Sequence, residues 1–63
     1  MTHEIVIGDV GSIQGSVIFV VCVDDDAAIA KAKHLCKPYG RDGWWIVREA
    51  SGREIARGGR FSL

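Results

Sequence analysis

Three consecutive aspartates, Asp24, Asp25 and Asp26, form the densest group of ionisable side chains in the sequence. Carboxylates are preferred ligands of hard divalent cations, and a row of them can also mimic nucleic-acid phosphates toward a basic partner. Three adjacent side chains cannot all face one ion without ligands from elsewhere. The triplet also precedes an apolar periodic segment, where aspartate is a preferred helix cap. A solvated helix cap and a contact with a basic partner both remain open.

A second group combines arginines with aromatic residues near the C-terminus. Arg53, Ile55 and Arg57 alternate along one predicted strand, and Arg48 lies on the strand before it. Aromatic residues close in sequence are Tyr39, Trp44, Trp45 and Phe61. Cations beside aromatic planes are typical of surfaces that bind single-stranded nucleic acid, whereas a charged edge strand protected from aggregation has the same composition. Both interpretations stay open, and duplex DNA is disfavoured because no helix-turn-helix is present.

The charge of the chain is strongly asymmetric although its formal net charge is zero. Residues 1–30 carry five acidic residues and no lysine or arginine, whereas residues 31–63 carry all eight basic residues and three acidic ones. A small protein of this kind can present a basic surface without being basic as a whole.

Cys22 and Cys36 both lie in apolar patterns, which favours buried free thiols. No histidine and cysteine spacing typical of a zinc site occurs.

The elements that must position these residues follow from periodicity. Residues 3–7 and 14–23 predict two strands, joined as a hairpin by a loop near residues 9–14. The second strand is apolar on both faces, which places it at the centre of a sheet. An apolar stripe predicts a helix after the aspartates, ended by Pro38; its members are Ala28, Ile29, Ala32, Leu35 and Cys36. Residues 44–49 and 53–57 predict two more strands, Gly58 and Gly59 end the pattern, and residues 60–63 are an extra strand or a tail.

The predicted fold is therefore a single α+β domain of residues 1–63, with ββαββ order and one helix packed on one face of an antiparallel four-stranded sheet. One helix covers one face only, yet strands 2 and 3 are apolar on both. A large apolar patch left in water usually marks an interface. We expect either a homodimer or a docking surface for another protein; the alternative is a curved sheet whose far side is covered by the tail.

The stretch from Ala27 to Ala56 resembles small proteins of phages and mobile elements, among them anti-CRISPR inhibitors of type I systems. The resemblance lies in the helix AAIAKAKHL, the strand WWIVREA and the turn and strand SGREIAR. It implies a stoichiometric inhibitor that docks on a subunit of a CRISPR surveillance complex. Under this hypothesis the three aspartates contact lysines of the partner that normally bind nucleic acid. Acidic patches of the partner are contacted by Arg48, Arg53 and Arg57. Most of the binding energy comes from Trp44 or Trp45.

The sequence thus predicts a non-enzymatic protein-binding module without cofactor or metal. The expected partner-binding residues are Asp24, Asp25, Asp26, Trp44, Trp45, Arg48, Arg53 and Arg57. The alternatives are a small protein that binds single-stranded nucleic acid through the basic hairpin and a homodimeric accessory protein. Sixty-three residues leave little room for a pocket. No signal peptide or spanning segment is recognisable, so we expect a cytoplasmic protein, in the bacterial host cytosol if a phage encodes it.

Overall fold

The computed structural model of the protein describes residues 1–11 and 15–60. The strands are β1 (Thr2–Asp9), β2 (Ser16–Val21), β3 (Gly43–Glu49) and β4 (Glu54–Gly59), and the helix α1 is Asp25–Cys36. The strands form one antiparallel sheet in the order β2-β1-β3-β4. The predicted α+β class, the ββαββ order and the single helix on one face of the sheet are confirmed. Residues 12–14, where the second strand was expected to begin, and the tail residues 61–63 lie outside the described residues.

The prediction that the second strand lies at the centre of the sheet is wrong, because β1 is central and β2 is an edge strand. Both β2 and β3 run antiparallel to β1 and pair with its two sides. The helix therefore crosses over β1 on its way from β2 to β3. Apolar residues on both faces of a strand indicate burial, but they do not say on which side of the hairpin a later strand will join. The predicted pairing of strands 1 and 2 is confirmed.

The helix begins where the aspartates predicted it. Asp24 is the N-cap residue, and its side chain accepts a hydrogen bond of 2.8 Å from the backbone N–H of Ala27. The predicted stripe faces the sheet, with Ala28, Ala32 and Cys36 buried. After Cys36 the chain continues as a 3₁₀ segment, Lys37–Asp42, with Pro38 near its start and Gly40 at φ 69°. The segment replaces the predicted loop and leads into β3.

The core lies between α1 and one face of the sheet. Ile5, Ile7, Trp45 and Val47 from the two central strands pack on the buried side of the helix. Side chains alternate along a strand, so the residues between them point to the opposite side, which we call the open face. Cys22 is half-buried and Cys36 is buried, and both are free thiols.

The last strand differs from its predicted form in two ways. It extends through Gly58 and Gly59, which were expected to end it, and Arg53 precedes it. A register irregularity beside Val47 and Arg48 interrupts the alternation. Ile55 consequently packs against the core, whereas Arg57 lies opposite Ile46. The expectation that Arg53, Ile55 and Arg57 share one face is therefore wrong, since a bulge changes the side to which following residues point.

Candidate functional site

The open face carries an exposed row of large apolar side chains along β2. Val17, Phe19 and Val21 alternate along the strand and are 53%, 70% and 82% exposed; we call these three residues the apolar strip. Phe19 lies opposite Glu4 of β1, and Val17 lies opposite Val6. Isolated apolar residues on a surface are ordinary, but a contiguous set is typical of an interaction site. The predicted uncovered apolar face is thus present in the described structure.

The outer edge of β2 adds backbone groups to this surface. Within the described residues β2 pairs with β1 on one side only. Edge strands of natural proteins are commonly protected by charged residues, proline or bulges. The sequence of β2, SVIFVV, contains no charged residue and no proline. This edge is therefore suited to receive a further strand from another chain.

The two tryptophans of β3 point to opposite faces and have different roles. Trp45 is 8% exposed and belongs to the core beneath the helix, so its indole is not available as the predicted surface anchor. Trp44 is half-buried on the open face, and its Nε1 donates a hydrogen bond of 3.0 Å to the carbonyl oxygen of Asp9. A Cβ atom at Gly8 would lie 2.8 Å from the Trp44 ring. Of the two predicted anchors, Trp44 is the one that borders the open face.

The arginines of the C-terminal hairpin are each engaged by a carboxylate. Arg48 contacts Glu4 at 3.1 Å, and Arg53 contacts Glu49 at 2.7 Å. Arg57 forms a two-pronged ion pair with Glu54, in which its Nε lies 2.9 Å from Oε2.

These ion pairs also change the acidity of the carboxyl groups. The hydrogen bond from Arg53, with a smaller contribution from the Ser51 hydroxyl, lowers the pKa of Glu49 to about 2. The hydrogen bond from Arg57 lowers the pKa of Glu54. The predicted basic hairpin is therefore largely neutralised by acidic neighbours, which argues against it as a nucleic-acid surface.

The three aspartates do not act as one group. Asp24 caps the helix, and Asp25 lies 2.9 Å from Nε2 of His3, whose side chain is buried in the sheet. Asp26 is exposed in the first helical turn. Across residues 1–11 and 15–60, no three histidine, cysteine or acidic side chains converge in a way that would hold a metal ion. Asp24 and Asp26 thus remain at the surface, at the end of the segment that follows β2.

A cleft of about 340 Å³ lies on the helix side of the sheet, where α1 passes into the 3₁₀ segment. It is open to solvent, and its lining includes Lys33, Lys37, Arg41 and Trp45. Gly43 allows the helix end to approach, because a Cβ atom there would lie 2.7 Å from the Cys36 sulfur. Little room for a pocket was expected from the length of the chain, and these cations were not among the predicted site residues. The spacing of four residues between Lys33 and Lys37 was a local signal for those two, whereas Arg41 follows the non-helical Gly40 and joins them only in the folded chain.

Within the described part of the chain, no helix is long and apolar enough to cross a bilayer. Comparisons of the sequence and the fold with protein-family models, with curated proteins and with solved structures found no match. The structure therefore defines the class as a small α+β protein with one helix on an open antiparallel sheet, and its function has to be argued from its own surface.

Proposed function

We propose that the protein is a non-enzymatic protein-binding module whose interface is the open face together with the free edge of β2. The observation that carries this proposal is the apolar strip, whose side chains are 53–82% exposed on an uncharged edge strand. Burying such side chains contributes roughly 25 cal/mol per Å² of apolar area. The partner that fits is a protein with its own exposed strand edge and an adjoining apolar surface, since backbone pairing and side-chain burial then occur together.

The resemblance of Ala27–Ala56 to small phage proteins gives the proposal its specific form. In that form the chain is a stoichiometric inhibitor that docks on a subunit of a type I CRISPR surveillance complex. Phe19 supplies the central aromatic contact, since large aromatic side chains dominate the energetics of many interfaces. Asp24 and Asp26 are exposed just beyond β2. Their negative charge raises the rate of association with a basic subunit that binds nucleic acid.

The experiment is binding of the purified protein to a purified type I surveillance complex, measured by biolayer interferometry with and without nuclease. We expect saturable binding at fixed stoichiometry that survives nuclease. Phe19→Ser should weaken it by about a hundredfold, as expected for loss of an interface hot spot. Lys31→Ser, a change at an exposed residue of the helix, is the matched control and should leave binding unchanged. Equal affinity of the wild type and Phe19→Ser would show that the apolar strip is not part of the interface.

A second copy of the chain is the alternative occupant, because one specific feature favours it. An antiparallel edge strand can pair with its own copy about a two-fold axis, which would place two apolar strips side by side on one continuous sheet. Sedimentation velocity over a range of concentrations distinguishes this case. A dimer that Phe19→Ser converts to monomer would identify the accessory-homodimer function, whereas a monomer at all concentrations leaves the strip free for a different protein.

A further inference from the structure

The cleft at the end of α1 contrasts sharply with the C-terminal hairpin in its electrostatics. Arg48, Arg53, Arg57 and Arg60 each contact a carboxylate. By contrast, Lys33, Lys37 and Arg41 line the cleft, and none of them contacts a carboxylate among the described residues. No acidic residue contributes to the described lining either. The cleft is thus lined by three cations that have no carboxylate contact in the described structure.

Helix stability explains only part of this arrangement. Cations near the C-terminal end of a helix interact favourably with the negative end of the helix dipole, which accounts for Lys33 in the last turn and for Lys37 at the C-cap. The two lysines are also four residues apart, a spacing at which like charges repel. Arg41 lies beyond the helix and follows Gly40, whose φ of 69° turns the chain. The dipole does not account for Arg41, and an anion in the cleft would interact favourably with all three cations.

We propose that this cleft binds a small phosphorylated ligand with a diphosphate group, at nucleotide size. Its volume of about 340 Å³ lies near the lower end of the roughly 300–1,000 Å³ of typical small-molecule sites. Arginine and lysine are the usual phosphate-binding side chains, and the arginine fork suits paired phosphate oxygens. The site is independent of the proposed protein interface, since it lies on the helix side of the sheet.

A small ligand fits the cleft better than a nucleic-acid strand. Single-strand binding combines a basic track with exposed aromatic platforms on which bases stack. Trp45 lines the cleft but is only 8% exposed, so it offers a wall and no stacking platform. Lys31, the remaining lysine of the helix, does not line the cleft. Lys33, Lys37 and Arg41 therefore line a single cleft, and Lys31 does not extend them into a track.

The test is a titration of the ¹⁵N-labelled full chain, followed by two-dimensional NMR, with pyrophosphate, ADP, inorganic phosphate and adenosine in turn. We expect saturable shifts at Gly40, Gly43 and the Trp45 indole N–H with pyrophosphate and ADP, and none with adenosine. Tighter binding of ADP than of pyrophosphate would identify a nucleotide as the ligand, and equal binding a free diphosphate. The double variant Lys37→Gln/Arg41→Gln should weaken binding at least about tenfold, since charge-assisted hydrogen bonds are lost.

Lys31→Gln is the control, because it removes an exposed lysine of α1 that lies outside the cleft. It should leave the affinity nearly unchanged. An equal loss of affinity in Lys31→Gln and in the double variant would overturn the proposal, since it would indicate diffuse attraction of anions. Shifts that do not saturate would overturn it as well. The proposal would also be overturned if a short single-stranded oligonucleotide bound more tightly than ADP and pyrophosphate and shifted the Lys31 signal, because the cations would then bind a nucleic-acid strand. The dispersion of each variant's own spectrum shows that it is folded.

Discussion

His3 and Asp25 join the central strand to the first turn of the helix, with 2.9 Å between His3 Nε2 and Asp25 Oδ1. The two side chains differ in exposure: that of His3 is 1% exposed, and that of Asp25 is 46% exposed. The second ring nitrogen of His3, Nδ1, is buried and has no hydrogen-bond partner among the described residues. A buried polar atom without a partner is costly, at about 1–3 kcal/mol. The imidazole thus fills space at the helix start but is only half satisfied.

Replacement of His3 by leucine separates the contribution of the side-chain volume to stability from that of the hydrogen bond to Asp25. His3→Leu keeps most of the volume and removes the unpaired nitrogen, while water can still solvate the partly exposed Asp25 carboxylate. We expect its free energy of unfolding in urea, at neutral pH, to equal or exceed that of the wild type. His3→Ala should lose about 2 kcal/mol or more, because it leaves a cavity. If leucine proved as damaging as alanine, the bond to Asp25 would be the dominant contribution.

The sequence predicted the elements of this fold better than their arrangement. Asp24, the stripe from Ala28 to Cys36 and the alternation of Trp44 and Trp45 are local signals, and each has its expected place in the structure. The position of β2 at the edge was not predictable in this way, because strand order depends on which side of the hairpin the chain rejoins after the helix. The bulge in the last hairpin also changed the predicted faces.

The two candidate sites were accessible from the sequence to different degrees. The uncovered apolar face could be predicted from the sequence, because one helix can cover only one of the two faces of the sheet. The ion pairs that neutralise Arg48 and Arg57 involve acidic residues that the sequence alone did not match to them. The cationic cleft depends on the close approach of the helix end to Gly43, which is a tertiary feature. The local features of each site could therefore be predicted from the sequence, whereas its pattern of paired and unpaired charges is seen only in the folded structure.

Close packing of Trp45 against β4 requires a residue without a side chain at position 58. A Cβ atom on Gly58 would lie 2.5 Å from Cζ2 of Trp45. Gly58→Ala should therefore lower the free energy of unfolding by about 1–3 kcal/mol, the usual cost of overpacking. Gly11→Ala is the control, since the nearest atom to its added Cβ would be at an ordinary 3.4 Å. Chemical denaturation of both variants tests this, and equal midpoints would contradict the tight contact.

Capping by Asp24 should contribute measurably to stability. Its carboxylate accepts a hydrogen bond from the Ala27 N–H at 2.8 Å. Asp24→Ala leaves this donor without its partner, so we expect a loss of about 1 kcal/mol in the free energy of unfolding. Asp24→Ser retains an oxygen that can accept the same bond and should keep most of that stability. Thermal unfolding followed by circular dichroism compares the two, and indistinguishable losses would show that charge, and not the cap bond, is what matters.

Glu49 should titrate far below an ordinary glutamate. Its hydrogen bond from Arg53 lowers the pKa from 4.5 to about 2 in the folded chain. Because the folded pKa is the lower one, the contribution of Glu49 to stability is present above pH 4.5 and is lost as the pH falls toward 2. Carbon-detected NMR titration of the Glu49 carboxyl measures this pKa. Arg53→Gln should raise it toward 4.5, whereas Arg60→Gln, which breaks the exposed pair with Asp42, should not. A normal pKa in the wild type would contradict the ion pair.

Two large apolar residues on neighbouring strands should respond in opposite ways to truncation. Ile5 is fully buried on the helix side of β1, whereas Phe19 on β2 is 70% exposed. Ile5→Ala should lower the free energy of unfolding by about 2–5 kcal/mol, because it removes core contacts and leaves a cavity. Phe19→Ala should change it by less than about 0.5 kcal/mol, as is usual for a surface substitution. Urea unfolding at low protein concentration makes the comparison for the isolated chain. A large loss in Phe19→Ala under these conditions would mean that Phe19 stabilises the fold itself, whereas a small one leaves an exposed aromatic side chain whose burial requires a partner.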